Sequence, residues 1–310
     1  MEKQKVISVI GPTAVGKTKL GIELAKKLNG EVINGDSMQI YKSFNIGTAK
    51  ATDEEMEGIP HHLIDMLEPK ETYSVHQFKQ DVNDKVVELT NKGKLPIIVG
   101  GTGFYVHAAL YDFNFATVER SKAYEQKILK EIDQFGIESV YNRLKRLDPQ
   151  QAEQIHPNNM RRVIRALEVI ETSGKKMSDI EKDQSNEPLY DLTMIGLTMD
   201  RDLLYKRINE RVDLMIEAGL VEEVKSLYTH YGDTIQPMQG IGYKEFIPYF
   251  NQEYTLDTAI ELVKRNTRRF AKRQLTYYRN KIPNIIWYDI DSNRYMETFS
   301  IIIKDLEGML

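Results

Sequence analysis

The 310-residue chain contains no cysteine, which excludes disulfides, cysteine–zinc sites and thiol nucleophiles. Any metal must be held through oxygen or histidine, and magnesium suits an oxygen site best. Long apolar segments are missing as well, and MEKQKVISVI runs straight into a strand pattern without a small-residue cleavage site. That composition predicts a cytoplasmic protein with no membrane partner. Excess positive charge is also lacking: 42 Lys and Arg face 46 Asp and Glu, a net charge of −4. A nucleic-acid partner would therefore have to be met by a local patch. Repeats and low-complexity tracts are absent. No obligate protein partner is evident, and the 41 % hydrophobic content is enough for one large core or two modest ones.

Against that background the stretch Gly11-Pro12-Thr13-Ala14-Val15-Gly16-Lys17-Thr18 stands out, since it follows the apolar run Val6–Ile10 and precedes a helical pattern. Its spacing is that of a phosphate-binding loop. Glycines let successive amides curl inward around an anion, and a helix N-terminus adds its positive dipole end. Lys17 would reach the far phosphates and the Thr18 hydroxyl would hold a magnesium ion. From average residue usage, four such fixed positions recur by chance in roughly 1 % of chains of this length.

Two further strand ends point to the same place. Glu31–Asn34 reads as a second strand leading to Asp36, Ser37, Met38 and Gln39, and Leu95–Val99 is a continuous apolar run ending in Gly100, Gly101, Thr102 and Gly103. In a parallel sheet, carboxyl-terminal strand ends share one ligand crevice, so Asp36 and Thr102 are candidates beside the loop. Asp191–Met199 and Ile285–Asp289 supply two more strands. The fold class expected is α/β, a phosphate-loop parallel sheet flanked by helices, with an inserted helical subdomain. Its core is 1–112 with 191–310, and the insert spans 113–190, where long polar helical stretches replace strand signals. His61 and His62 suggest a metal at first glance. Adjacent residues in an extended segment point to opposite sides, which favours a structural role.

Charge is unevenly distributed over the helices. Near 158–167 a helix begins that carries Arg161, Arg162 and Arg165 on one face, with Val163, Ile164 and Leu167 turned inward. A helix predicted from Arg201 to Tyr228 has Arg207 and Arg211 one turn apart. Another, Leu256 to about Lys281, holds eight Lys or Arg between 264 and 281 and no acidic residue, while Val263, Phe270, Gln274 and Tyr277 or Tyr278 mark a packing face. One-signed charge interleaved with tyrosines points to a phosphate-rich partner, either nucleic acid or a diphosphate. Gly240-Ile241-Gly242-Tyr243-Lys244 reads as a flexible turn.

With these pieces placed, the chain resembles the bacterial tRNA dimethylallyltransferases, also called tRNA isopentenyltransferases. GPTAVGKT, DSMQIY at 36–41, IPHHLID at 59–65, VGGTGFY at 99–105, HPNNMRRVIRALEV at 156–169, GIGYKE at 240–245 and NTRRFAKRQLTYYR at 266–279 occur in that family's order. The resemblance implies transfer of a dimethylallyl group from dimethylallyl diphosphate, with Mg2+, to the exocyclic amine of the adenosine 3′ of the anticodon, position 37. It implies that Asp36 is the general base, that Thr102 bonds the reacting amine, and that the loop with Lys17 and Arg207 or Arg211 binds the diphosphate. The tRNA anticodon stem-loop would be met by Ser37, Met38 and Gln39, by Arg161, Arg162 and Arg165, and by Gln239, Gly240, Gly242, Tyr243 and Lys244. An aspartate beside a diphosphate should have its pKa raised by like charge. One departure is Tyr124 and Glu125, where family members commonly carry an arginine.

Two readings compete on the residues alone. A nucleotide or nucleoside kinase would use the same loop with ATP, although the strand at 95–99 ends in glycines where phosphate-loop hydrolases place a magnesium-holding aspartate. A non-catalytic, nucleotide-gated RNA-binding protein would explain the basic helix and leave Asp36 and Thr102 without a purpose.

Overall fold

The computed structural model describes residues 3–308 apart from 114, 117, 119, 183–186 and 292–293; the part of the expected insert at 114, 117, 119 and 183–186 lies outside the described residues. The chain forms two compact units, Met1–Leu110 with Pro188–Leu310, and Tyr111–Glu187. In the first, β1 (Lys5–Ile10), α1 (Lys17–Lys27), β2 (Gly30–Asn34), α2 (Asp53–Met56), β3 (His61–His62), α3 (Val75–Asn91), β4 (Leu95–Gly100) and α4 (Gly103–Leu110) precede the excursion. The second unit holds α5 (Lys122–Phe135), α6 (Ile137–Leu147), α7 (Pro149–Gln154), α8 (Met160–Ser173) and α9 (Met177–Lys182). The chain then returns through β5 (Asp191–Thr198), α10 (Arg201–Glu217), α11 (Leu220–Tyr231), α12 (Ile247–Phe250), α13 (Leu256–Lys281), β6 (Ile286–Asp289) and α14 (Tyr295–Glu307).

All six strands are parallel, in the order β3-β2-β4-β1-β5-β6. β1 is central because its apolar residues lie on both faces: Val6, Ile7, Val9 and Ile10 are buried, as a strand covered on both sides requires. Leu20 and Leu24 of α1 and Phe299 and Ile302 of α14 join Ile7, Val9, Ile97 and Ile195 in one core. Full burial of each such side chain contributes about 1.5–3 kcal/mol. The ladder pairs Ile10 with Gly100 and Asn34 with Val99. The loops after β1, β2 and β4 therefore leave the sheet side by side.

Two elements depart from the sequence reading. The long helix expected over 201–228 is broken into α10 and α11 at Gly219, whose φ of +96° is a left-handed conformation that suits glycine and ends a helix. The histidine pair forms β3, a two-residue edge strand registered on Val32 and Ile33, too short to leave a periodic signal. His62 Nε2 lies 2.6 Å from Glu31 Oε2 and His61 Nδ1 2.8 Å from Ile59 O, which is a structural role. Elsewhere local rules hold: Ser74 caps α3 in a capping box with Gln77.

The second unit is helical among its described residues and packs around Ile128, Val140, Leu144, Val163 and Leu167. Tyr124, at the position where the resemblance led one to look for arginine, packs against this core.

Candidate active site

The loop after β1 is shaped by its glycines. Gly11 has φ +149°, and a Cβ there would fall 2.6 Å from Leu197 O on β5, so only glycine fits. Gly16, at φ +106°, caps α1 without a side-chain bond, and the first turn of that helix carries no acidic residue. Its amides and dipole end are left for an anion. Lys17 opens the helix and donates to Pro12 O at 2.7 Å, while Thr18 is exposed.

The turn after β2 presents Asp36 through Asn34, which accepts from Asp36 N (3.0 Å) and donates to Asp36 O and Leu63 O (both 2.9 Å). Asp36 Oδ1 accepts from Met38 N at 2.9 Å. The turn after β4 comes within contact of it because both are glycine at the meeting point: a Cβ on Gly100 would sit 2.3 Å from Gly35 O. Ser37 N then donates to Thr102 Oγ1 at 3.2 Å, with the two hydroxyls 3.4 Å apart. Asp36 and Thr102 are thus brought together beside the phosphate loop.

Burial dominates the electrostatics. It holds the Asp36 carboxyl above the usual carboxylate range, outweighing the Met38 amide and the Lys17 ammonium, which favour its charged form. Desolvation lowers Lys17 to about 7 although Asp36 opposes the shift, and Arg211 lowers it further. Arg211 is itself lowered by burial. Lys17, Asp36 and Arg211 are therefore close enough to feel one another's charge, in a partly buried cluster. Arg207, a turn earlier on α10, donates to Ala14 O in the loop at 3.1 Å.

The remaining candidates divide. Met38 lies against the 239–244 turn, where a Cβ on Gly240 would come within 2.7 Å of its Cε. Gln39 donates to Thr48 O and Ala49 O, and Gln239 to Asp233 O. Lys244 is exposed, whereas the Tyr243 side chain is 0 % exposed and donates to Glu223 Oε1 at 2.7 Å. Burial leaves that tyrosine only its backbone for a ligand, and the turn is held by Glu245, which accepts from Gly242 N. In the helical unit Arg161 and Arg162 are exposed, and Arg165 is spent on buried Glu168 (2.6 Å) and Val118 O (2.7 Å). On α13, Arg265, Arg269, Lys272, Arg273, Arg279 and Lys281 are exposed, and Lys264 pairs with Asp213.

Three participants went unassigned in the sequence. Gln274, read there only as packing, accepts from Thr13 N in the phosphate loop and donates to Gly101 O; a polar residue on an otherwise apolar helix face was its one signal. Tyr295 donates to Val15 O at 3.2 Å, with the Arg207 guanidinium 5.1 Å from its ring. Glu223 gathers the amides of 45–47. Neither had a local signal.

Among the described residues, no group of three or more His, Asp or Glu could hold a metal, and no helix is long and apolar enough to cross a membrane. The exposed Thr18 hydroxyl beside a phosphate loop fits magnesium, which habitually takes one or two protein oxygens and completes its shell with phosphate and water.

The model of the family described as IPP transferase matches residues 39–281. A tRNA dimethylallyltransferase of Bacillus anthracis is 51 % identical over 310 residues, covering 100 % of this chain and 98 % of the relative. One from Bacillus cytotoxicus is 51 % identical over 309 residues, covering 100 % and 96 %. Among solved structures, a tRNA isopentenylpyrophosphate transferase from Bacillus halodurans superposes with a TM-score of 0.72 at 46 % identity, over 99 % of this chain and 98 % of that one. A eukaryotic dimethylallyltransferase acting on tRNA superposes with a TM-score of 0.81 at 32 % identity, over 98 % and 80 %.

Proposed function

The chain belongs to the IPP transferase family, and from that premise we propose how its own residues transfer a dimethylallyl group from dimethylallyl diphosphate to tRNA. Family membership removes the kinase and the non-catalytic readings. The acceptor is the exocyclic amine of the adenosine 3′ of the anticodon. Its lone pair is delocalised into the ring, so the site must assist both the nucleophile and the leaving group.

The loop amides of 14–18, with Thr13 N already given to Gln274, together with Lys17 and the arginines at 207 and 211, hold the diphosphate, placing positive charge where negative charge grows as the carbon–oxygen bond breaks. The Thr18 hydroxyl would help hold a magnesium ion, which would supply Lewis-acid stabilisation of the leaving group. As the carbon–nitrogen bond forms, Asp36 takes the amine proton and the diphosphate departs. Burial of Asp36 raises its proton affinity, which strengthens it as a base. The Thr102 hydroxyl, 3.2 Å from Ser37 N, orients the amine. Met38, Gln39 and the 239–244 turn meet the base and its neighbours. Arg161, Arg162 and the exposed face of α13 neutralise tRNA phosphates, contributing affinity with little sequence preference. The target base must leave its stack, at a few kcal/mol, less in a single-stranded loop.

The observation that carries this reading is the gathering of Lys17, Asp36 and Thr102 at three adjacent strand ends. Mass analysis of unmodified tRNA after incubation with dimethylallyl diphosphate and magnesium should find one dimethylallyl group on that adenosine. Unchanged tRNA alongside phosphate release from ATP would refute it.

A further inference from the structure

α13 seats on the catalytic turns through a single stripe. The Tyr278 hydroxyl lies 3.4 Å from Gly100 O, and Tyr277 packs over Gly103, where a Cβ would come within 2.6 Å of its ring. One turn earlier Gln274, only 4 % exposed, uses both ends of its amide: Nε2 donates to Gly101 O at 2.7 Å and Oε1 accepts from Thr13 N at 2.9 Å. Thr13 belongs to the phosphate loop and Gly101 directly precedes Thr102. The β1–β4 ladder that would otherwise register these two loops ends at the pair Ile10–Gly100. Beyond it, the Gln274 side chain bridges loop to loop. A primary amide donates and accepts at once; glutamate lacks the donor, and methionine has no donor and only a weak sulfur acceptor. Gly101 completes the fit, since a Cβ there would lie 2.4 Å from Gln274 Nε2.

We propose that Gln274 is a positioning residue for the transfer, setting Thr102 against the phosphate loop and so fixing how far the acceptor amine stands from the leaving diphosphate. The inference rests on the assignment of Thr102 to the amine and of the loop to the diphosphate. Misplacing reacting groups by about 1 Å can cost 10²-fold in rate, so an interaction that touches neither substrate can still govern turnover.

The test is the single-turnover rate at saturating substrates for Gln274→Met, Gln274→Glu, Gly101→Ala, Thr102→Ala and the double variant Gln274→Met/Thr102→Ala. Gln274→Met should slow transfer about 10–100-fold while the tRNA Kd moves less than about 2-fold. Gln274→Glu keeps the shape and the acceptor and should also be slow. Gly101→Ala should reproduce the loss with the glutamine in place. Because Gln274 acts through Thr102, the double variant should be no slower than Thr102→Ala alone within about 3-fold. Rates of Gln274→Met and Gly101→Ala within about 3-fold of the parent, or losses that multiply in the double variant, overturn the inference. If Thr102→Ala is silent, the assignment of Thr102 has failed and this inference falls with it; that single variant tells the two failures apart.

Discussion

Replacing Glu223 with glutamine should cost more stability than its surface position suggests. The Glu223 carboxylate on α11 accepts three consecutive amides, from Asn45 (3.2 Å) and Ile46 (2.9 Å) on Oε2 and from Gly47 (3.1 Å) on Oε1, where the Tyr243 hydroxyl also donates at 2.7 Å. Tyr243 is fully buried, its ring 4.8 Å from that of Phe44. Whichever oxygen becomes the amide nitrogen in Glu223→Gln, two donors lose their acceptor. A hydrogen bond to a charged group contributes about 1.5–3 kcal/mol, and partial exposure of Glu223 trims the sum to about 2–4 kcal/mol. At about 2–4 °C per kcal/mol for a domain of this size, Tm should fall by about 4–16 °C. Tyr243→Phe removes one of the four donors and should cost about 1–2 kcal/mol. The two changes share a bond, so urea unfolding of the single and double variants should give a coupling of about 1 kcal/mol. The clamp also holds the 45–49 segment, on whose Thr48 and Ala49 carbonyls Gln39 is anchored. Glu223→Gln should therefore raise KM for tRNA while leaving KM for dimethylallyl diphosphate unchanged. A stability loss under about 0.5 kcal/mol, or strictly additive losses, would refute the clamp.

Burial lowers Lys17 to about 7 in the folded protein against 10.5 in the unfolded chain, so stability rises with pH between those two values, where the folded lysine has lost its proton and the unfolded chain still holds it. A bound diphosphate favours the ammonium, so binding at pH 8 should take up about one proton, read by calorimetry in buffers of different ionisation enthalpy; no uptake would sink the assignment, and Lys17→Met should abolish it. Asp36→Asn keeps an acceptor for the Met38 amide and removes the base. Its single-turnover rate should fall about 10²–10⁴-fold with tRNA affinity intact, and a fall under about 10-fold would make another group the base. Removing the two exposed cations Lys272 and Arg273 of α13 should lower the slope of log Kd for tRNA against log salt by about 2; an unchanged slope would mean that this face does not meet phosphate.

Much of the site was legible because its signals are local. The glycine spacing at 11–18 carries its own geometry, Asp36 follows a short strand pattern and Thr102 a continuous apolar run of the kind a doubly buried strand requires, and α13 declares its basic face within its own residues. Gly219 is a helix stop of the ordinary kind, and the break it makes was open to the same local reasoning. What the tertiary structure alone decided is which polar groups are already used. Thr13 meets Gln274 across 261 residues, Gly47 meets Glu223 across 176, and Val15 meets Tyr295 across 280; no window of sequence contains such a pair. The same holds for Arg165, turned inward onto Glu168 and Val118, and for Tyr243, buried within a turn for which the family resemblance implied contact with tRNA. Local sequence determined the elements and the residues that face the crevice, because spacing and glycine conformation act over a few residues. The positions of those residues relative to one another were decided by buried hydrogen bonds between distant segments, which form only when the sheet brings its strand ends together.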